Sequence, residues 1–335
     1  MEKALLVGTG GFGRTWWSGL ARLADRIEVV AVVEPDERER ASAGSFFNLP
    51  ADRRLRPGDD DWAALDATVV IDSSPPWYHL EHAVAAFAAG CDLLVAKPLA
   101  PTAAGGIALM RAAESAGRSV AVAQQMRYFP NLLALRDAVR QQLVGPPVAA
   151  RIRMALDGRG WTPGMQWRLT MDHPLLREAG IHHFDLMRWC LDTEFDDIAV
   201  VTWSPPASPF SGDASAAGVL RGANGVAVSY DATFAPGDEP AIRFDSGWSV
   251  VCRDGVLTVA DGGLTLTDPL SGQVTTLVAP TADPVSLDEL NAALLEDWLR
   301  ARADGGEPAF SGADNLLSLG LMDRAMRWSA REQAK

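Results

Sequence analysis

The 335-residue chain is poor in cysteine, poor in histidine and short of positive charge. Its three cysteines, Cys91, Cys190 and Cys252, are odd in number, far apart and in no metal-ligand spacing. This argues against a disulfide framework or a zinc centre, and reads as reduced core thiols of a cytoplasmic protein. Thirty basic residues against 43 acidic ones give a net charge of -13, a surface that repels a phosphate backbone, so nucleic acid is not an expected partner. No uncharged apolar run approaches membrane-spanning length, and the opening "MEKALLVGTGGFG" enters a strand pattern without a basic leader or cleavage site. Neither membrane insertion nor export is expected. Internal repeats, low-complexity tracts and long linkers are missing as well. What is present, 48% hydrophobic and 22% charged residues, is the balance of a soluble chain long enough for two domains with separate cores.

The first domain, residues 1–124, opens with a buried strand, a glycine loop, a helix to about Ala24 and a second buried strand ending at Val33. Gly8, Gly10 and Gly13 fit GxGxxG, a weak motif alone, but here it follows a strand and opens a helix. That context lets backbone N–H groups face a pyrophosphate while the missing side chains allow close approach. Gly11 and Phe12 complete the loop. Glu34 closes the second strand, where an acid accepts ribose hydroxyls and repels a 2′-phosphate, which favours NAD over NADP. The alternative for "EPDERER" is the charged start of a surface helix, with Arg38 or Arg40 able to reach a phosphate. Further βα alternation predicts a doubly wound parallel sheet, and ligands bind at the carboxyl ends of such strands. Ser74, Pro75 and His79, then Lys97, then Gln125 fall at or just beyond those ends and are candidate cofactor residues. Lys97, followed by Pro98, is either a solvated charge or a donor to a substrate oxygen.

From residue 125 onward the pattern changes to an α+β domain with an open, mainly antiparallel sheet. Turn signals at Asn224-Gly225, Asp254-Gly255, Asp261-Gly262-Gly263 and Ser271-Gly272 mark hairpins, and "SLDE" at 286–289 and "SGAD" at 311–314 resemble capping boxes opening two final helices. One sheet face is expected to pack on the helix of residues 173–191; the other is solvated or pairs with another subunit. Within that helix, at 100° per residue, Glu178, His182, Asp185 and Trp189 fall in a stripe about 60° wide. Two acids beside one imidazole would set its tautomer and raise its pKa, so His182 is a candidate base, with an ion-pair stripe as the other reading. His183 points about 100° away, toward a core or interface. Neither His79 with His82 nor His182 with His183 has convergent partners, so no metal site is expected.

Taken in order, "GTGGFG", "SPPWYH", "AKPLAPT", "RYFP", "QWR", "EAGIHHFDLMRW" and "EPAFSGADNLLSLGLMDRAMRWSA" resemble, from end to end, the glucose-fructose oxidoreductase, inositol dehydrogenase and rhizopine catabolism family, Gfo/Idh/MocA. The resemblance implies a Rossmann domain, a second domain whose open sheet mediates homodimers or homotetramers, and nicotinamide-dependent alcohol–ketone interconversion on a sugar or cyclitol. It implies that Lys97 and His182 are catalytic, with Glu178 standing where the family has Asp, and Asp185 in support. Ala96 replaces the Glu of the family's Glu-Lys-Pro, and "HPLL" replaces a glycine pair. Tyr128, Trp161, Trp167, Arg168 and His183 are the substrate-side candidates: aromatic faces suit sugar C–H faces, and arginine suits hydroxyl or carboxylate oxygens. Two other activities share this fold, an NAD-dependent glycosidase cycle and a catalytically silent sugar or dinucleotide sensor.

Overall fold

The computed structural model describes residues 1–59, 61–158, 166–206 and 208–334. The chain opens with β1 (Glu2–Val7), α1 (Trp17–Arg22), β2 (Ile27–Val33), α2 (Glu37–Phe46), β3 (Arg54–Leu55), β4 (Val69–Asp72), α3 (His79–Ala88), β5 (Asp92–Ala96), α4 (Ala103–Ala116) and β6 (Val120–Ala123). Val69–Asp72 and Val120–Ala123 are buried at every position, the near-continuous apolar runs of strands covered on both faces. All pairings are parallel, in the order β3-β2-β1-β4-β5-β6. Order reverses between β1 and β4, so the strand ends there form the crevice at which such sheets take ligands.

The chain continues through α5 (Pro130–Arg140), β7 (Pro147–Ala155), α6 (Ile181–Cys190), β8 (Phe195–Trp203), β9 (Ser215–Gly222), β10 (Ala227–Thr233), β11 (Trp248–Cys252), β12 (Val256–Ala260), β13 (Gly263–Thr267) and β14 (Val274–Val278). It ends with α7 (Leu287–Ala303) and α8 (Gly312–Gln333). The second sheet has eight strands in the order β14-β13-β12-β11-β7-β10-β9-β8, antiparallel except where β10 runs parallel to β7. Alternation in β10, with Val228, Tyr230 and Ala232 buried and Ser229 and Asp231 exposed, gives the sheet one buried face. Trp248, Tyr230 and Phe184 are among its largest buried side chains. The opposite face exposes Val201, Trp203 and Val219.

Three features refine the expectations. The chain divides into Met1–Gln125 with Val285–Leu319 and Met126–Pro284 with Gly320–Lys335, so that residues 285–319 group with the first unit and the last residues with the second. The reason is apolar packing of α7 on α1, where a Cβ on Gly19 would come 3.1 Å from Ala292. The capping box that opens α7 does form, Ser286 Oγ accepting from Glu289 N at 3.2 Å and Glu289 accepting from Ser286 N at 3.0 Å. Second, the glycine loop leads into a 3₁₀ turn, Gly11–Trp16, before the short α1. Third, the expected helix from 173 to 191 forms over residues 174–190, but it contains a π turn, Leu176–Gly180, before α6. A π turn changes the angle per residue, so a uniform 100° stripe does not run from Glu178 to Trp189.

Candidate active site

In the first unit the site is made by backbone shape. Gly8 has φ +76°, and a Cβ there would stand 3.0 Å from Ser73 C and Ser74 N. A Cβ on Gly13 would be 2.0 Å from the Gly8 carbonyl oxygen, so the loop closes only with glycine at that position. Gly11 has nothing within 4 Å of its would-be Cβ, and Phe12 is half-buried with its ring edge-on to Trp16. The buried Glu34 carboxylate faces this loop: Oε2 accepts from Thr9 N at 2.7 Å and Gly10 N at 3.2 Å, and Oε1 accepts from Asp36 N at 3.0 Å. Arg38 lies exposed in the first turn of α2. Arg40 is buried and donates to the Glu34 carbonyl at 2.6 Å, anchoring the end of β2 instead of facing a ligand.

Beside the glycine loop, Ser73 and Ser74 form the turn after β4. Ser73 N donates to the Val7 carbonyl at 2.7 Å, and Trp16 Nε1 donates to Ser73 Oγ at 2.9 Å. Asp72, fully buried at the end of β4, accepts from Ser74 N at 2.8 Å and lies 2.9 Å from His82 Nδ1. Burial pushes the Asp72 carboxyl up, but the His82 hydrogen bond, the charges of His79 and His82 and the hydrogen bond from Ser74 together bring it below its ordinary value. Pro75, half-buried, precedes a 3₁₀ turn that leads to α3. His79 has no exposed surface, so its ring reaches no ligand directly; both ring nitrogens lie on backbone carbonyls. Lys97 is half-buried at the end of β5, and its peptide bond to Pro98 is cis. Gln125 is buried, and its Oε1 has no hydrogen-bond partner among the described residues.

In the second unit the site is made by side-chain pairs. His182 is buried on α6, its ring edge-on to Phe244 at 5.8 Å. Glu178 accepts from Arg168 Nε at 2.9 Å, and the Arg168 guanidinium lies 4.7 Å over the Trp167 ring. Asp185 takes a two-pronged pair from Arg127, 2.7 and 2.6 Å, with both side chains buried. The two acids read as flanking His182 therefore each neutralise an arginine. Trp189 is covered by Arg136 at 4.7 Å and Arg127 at 5.6 Å. Tyr128, next to Arg127, is half-buried. Trp161 lies outside the described residues.

His183 is a core residue, which corrects its place among the substrate-side candidates. Its Nδ1 is 2.9 Å from the Tyr230 hydroxyl, its ring packs on Phe244, and burial pulls its pKa down to about 3. Arg127, Asp72, Tyr230 and Phe244 escaped the sequence reading. Asp72 had a signal, an acid ending the apolar run "VVID". Among the described residues no group of three His, Cys, Asp or Glu side chains could hold a metal ion, and no helix is long and apolar enough to cross a membrane. The three cysteines are buried and form no disulfide.

Residues 3–124 match the model of an oxidoreductase family with an NAD-binding Rossmann fold, and residues 132–258 match the GFO/IDH/MocA C-terminal domain. D-apiose dehydrogenase of Paraburkholderia graminis is 27% identical over 98% of this chain and 88% of its own length. An inositol 2-dehydrogenase of Cereibacter sphaeroides is 31% identical over 58% of this chain. The chain spans 56% of that protein's length, and 66% of the Sinorhizobium fredii protein y4oX. A solved levoglucosan dehydrogenase in complex with NADH and levoglucosan shares the fold at a TM-score of 0.84 and 20% identity, covering 99% of this chain and 98% of that one. With both domain models matched in order along one chain, and both sheets built as they require, the protein belongs to the Gfo/Idh/MocA oxidoreductase family.

Proposed function

We propose that the protein is an NAD(H)-dependent dehydrogenase that interconverts a secondary alcohol and a ketone on a sugar, amino sugar or cyclitol. The observation that carries this reading is the glycine loop closed on Glu34, supported by relatives named as apiose and inositol dehydrogenases. The open space at Gly11, the buried carboxylate and the partnerless Gln125 oxygen fit a dinucleotide. Gly8, Gly10, Gly11, Phe12 and Gly13 would hold its pyrophosphate, with Glu34 toward the adenosine ribose and Ser74, Pro75 and Gln125 lining the strand ends. The Glu34 carboxylate favours NAD over NADP by repelling a 2′-phosphate; Arg38 is the nearest candidate to offset that. When bound, NAD supplies a hydride acceptor at its nicotinamide ring.

In this reading His182 takes the hydroxyl proton and Lys97 donates a hydrogen bond to the same oxygen. Glu178 acts through its hold on Arg168, and Asp185 through its hold on Arg127. Tyr128, Trp167 and Arg168 are the substrate-binding side chains; Arg168, already neutralised by Glu178 and stacked on Trp167, suits hydroxyls of a neutral polyol. The exposed apolar positions of the second sheet make a self-complementary surface for a homodimer or homotetramer, to be measured by light scattering. The deciding experiment is a panel of inositols, hexoses, uronic acids and amino sugars with NAD+ and NADP+. Turnover with NAD+ on a neutral polyol is expected; firm NADH binding without turnover on any member would sink the dehydrogenase reading. His182→Ala should lower kcat by about 10²- to 10⁴-fold while sparing NADH affinity. Equal loss in His183→Ala would remove the distinction between the two histidines.

A further inference from the structure

We infer that His79 is a positioning residue that sets, through its two ring nitrogens separately, the turn beside the glycine loop and the turn that carries Lys97. The inference rests on the dinucleotide and Lys97 roles proposed above. His79 begins α3 and its ring is fully buried. Nε2 lies 2.9 Å from the Ser74 carbonyl oxygen; Nδ1 lies 3.1 Å from that of Pro98 and 3.3 Å from that of Leu99. One side of the ring thus holds the Ser73–Ser74 turn, whose backbone stands 3.0 Å from a would-be Cβ on Gly8. The other side holds the peptide groups immediately after Lys97. These two turns end β4 and β5, neighbouring strands of the parallel sheet, and the imidazole bridges them.

The two contacts can be separated because asparagine puts its amide nitrogen near the place of Nδ1 and glutamine puts its own near Nε2. In His79→Asn an amide N–H still faces the Pro98 and Leu99 carbonyls, and nothing faces the Ser74 carbonyl. KM for NAD+ and the NADH dissociation constant should then rise about tenfold with kcat changed less than about twofold. In His79→Gln the converse holds: NAD+ affinity is kept and kcat falls about tenfold.

A second readout needs no turnover. Lys97 is one of three lysines in the chain, with Lys3 and Lys335, so acylation of Lys97 relative to Lys3, followed by peptide mass spectrometry, reports on that side chain alone. The ratio should change in His79→Gln and stay constant in His79→Asn. NADH should protect Lys97 in the unsubstituted protein. If it does not, the proposed role of Lys97 beside the cofactor fails, while the labelling ratio in the two variants still tests the positioning. Both variants moving KM and kcat together, neither moving either, or both failing to fold would mean that His79 serves only as core packing, and would overturn the inference.

Discussion

The two units build their candidate functional residues by opposite means. In the first, geometry comes from what is missing: no Cβ at Gly13, where one would meet the Gly8 oxygen at 2.0 Å, and backbone amides gathered on one buried carboxylate. In the second it comes from side chains that must find partners: Asp185 with Arg127, Glu178 with Arg168, His183 with Tyr230. A backbone-made site is damaged by adding atoms, and a side-chain-made site by removing them.

The largest effect should come from the second unit. Arg127→Met leaves the Asp185 carboxylate buried without its cation and should cost about 3–5 kcal/mol in denaturant unfolding. Adding Asp185→Leu should recover most of that, since a buried pair replaced by apolar groups is often near neutral in stability. A double variant no better than the single one would show that the pair matters for shape more than for charge. In the first unit, Gly13→Ala should weaken NADH binding at least about 100-fold, roughly 2.7 kcal/mol, with the far-ultraviolet dichroism unchanged. Unaltered NADH affinity in that variant would break the contrast at once.

The effect that is smallest at neutral pH is a slope with pH. His183 in the folded chain titrates at about 3, against 6.5 for an ordinary histidine, so the unfolded chain binds the proton first as pH falls. Stability from this residue is whole above about 6.5 and declines by about 1.4 kcal/mol per pH unit down to about 3. His183→Phe should lower stability at neutral pH, because Tyr230 loses its partner, yet flatten the slope between about pH 6 and pH 4. Unfolding midpoints across that range check it; parallel curves for the two proteins would contradict the assignment. Asp72, held below its ordinary value, adds stability that is present above the unfolded carboxylate pKa and fades as pH falls through the folded one.

This contrast also explains what could be read from the residues alone. The glycine triple, the acid at the end of β2, the Asn224-Gly225 hairpin and the Ser286–Glu289 capping box are local requirements of the backbone, visible within a few residues or at a fixed spacing. Pairings are not local. Arg127 and Asp185 stand 58 positions apart, and His183 and Tyr230 stand 47 apart. Helical phase separated His182 from His183, and the structure puts His183 in the core; the same phase gave Asp185 to His182 but gave no sign of its pair with Arg127. The π turn at Leu176–Gly180 had no local signature beyond Gly180, and the return of residues 285–319 to the first unit depends on a packing contact with Gly19 far up the chain.

The parallel pairing of β7 with β10 has a kinetic consequence. Two meanders, β8–β9–β10 and β11 through β14, pair strands that are consecutive in the chain, whereas the β7–β10 seam matches Ile152 to Tyr230 across a long excursion that contains α6. Loop-closure entropy must be overcome before such a distant contact returns anything, so the seam is the slow, late step of folding in this unit. Tyr230 joins the seam and bonds His183 beside His182, so the candidate base reaches its final place only when that step is complete. Refolding followed at once by turnover and by far-ultraviolet dichroism would show activity lagging behind secondary structure.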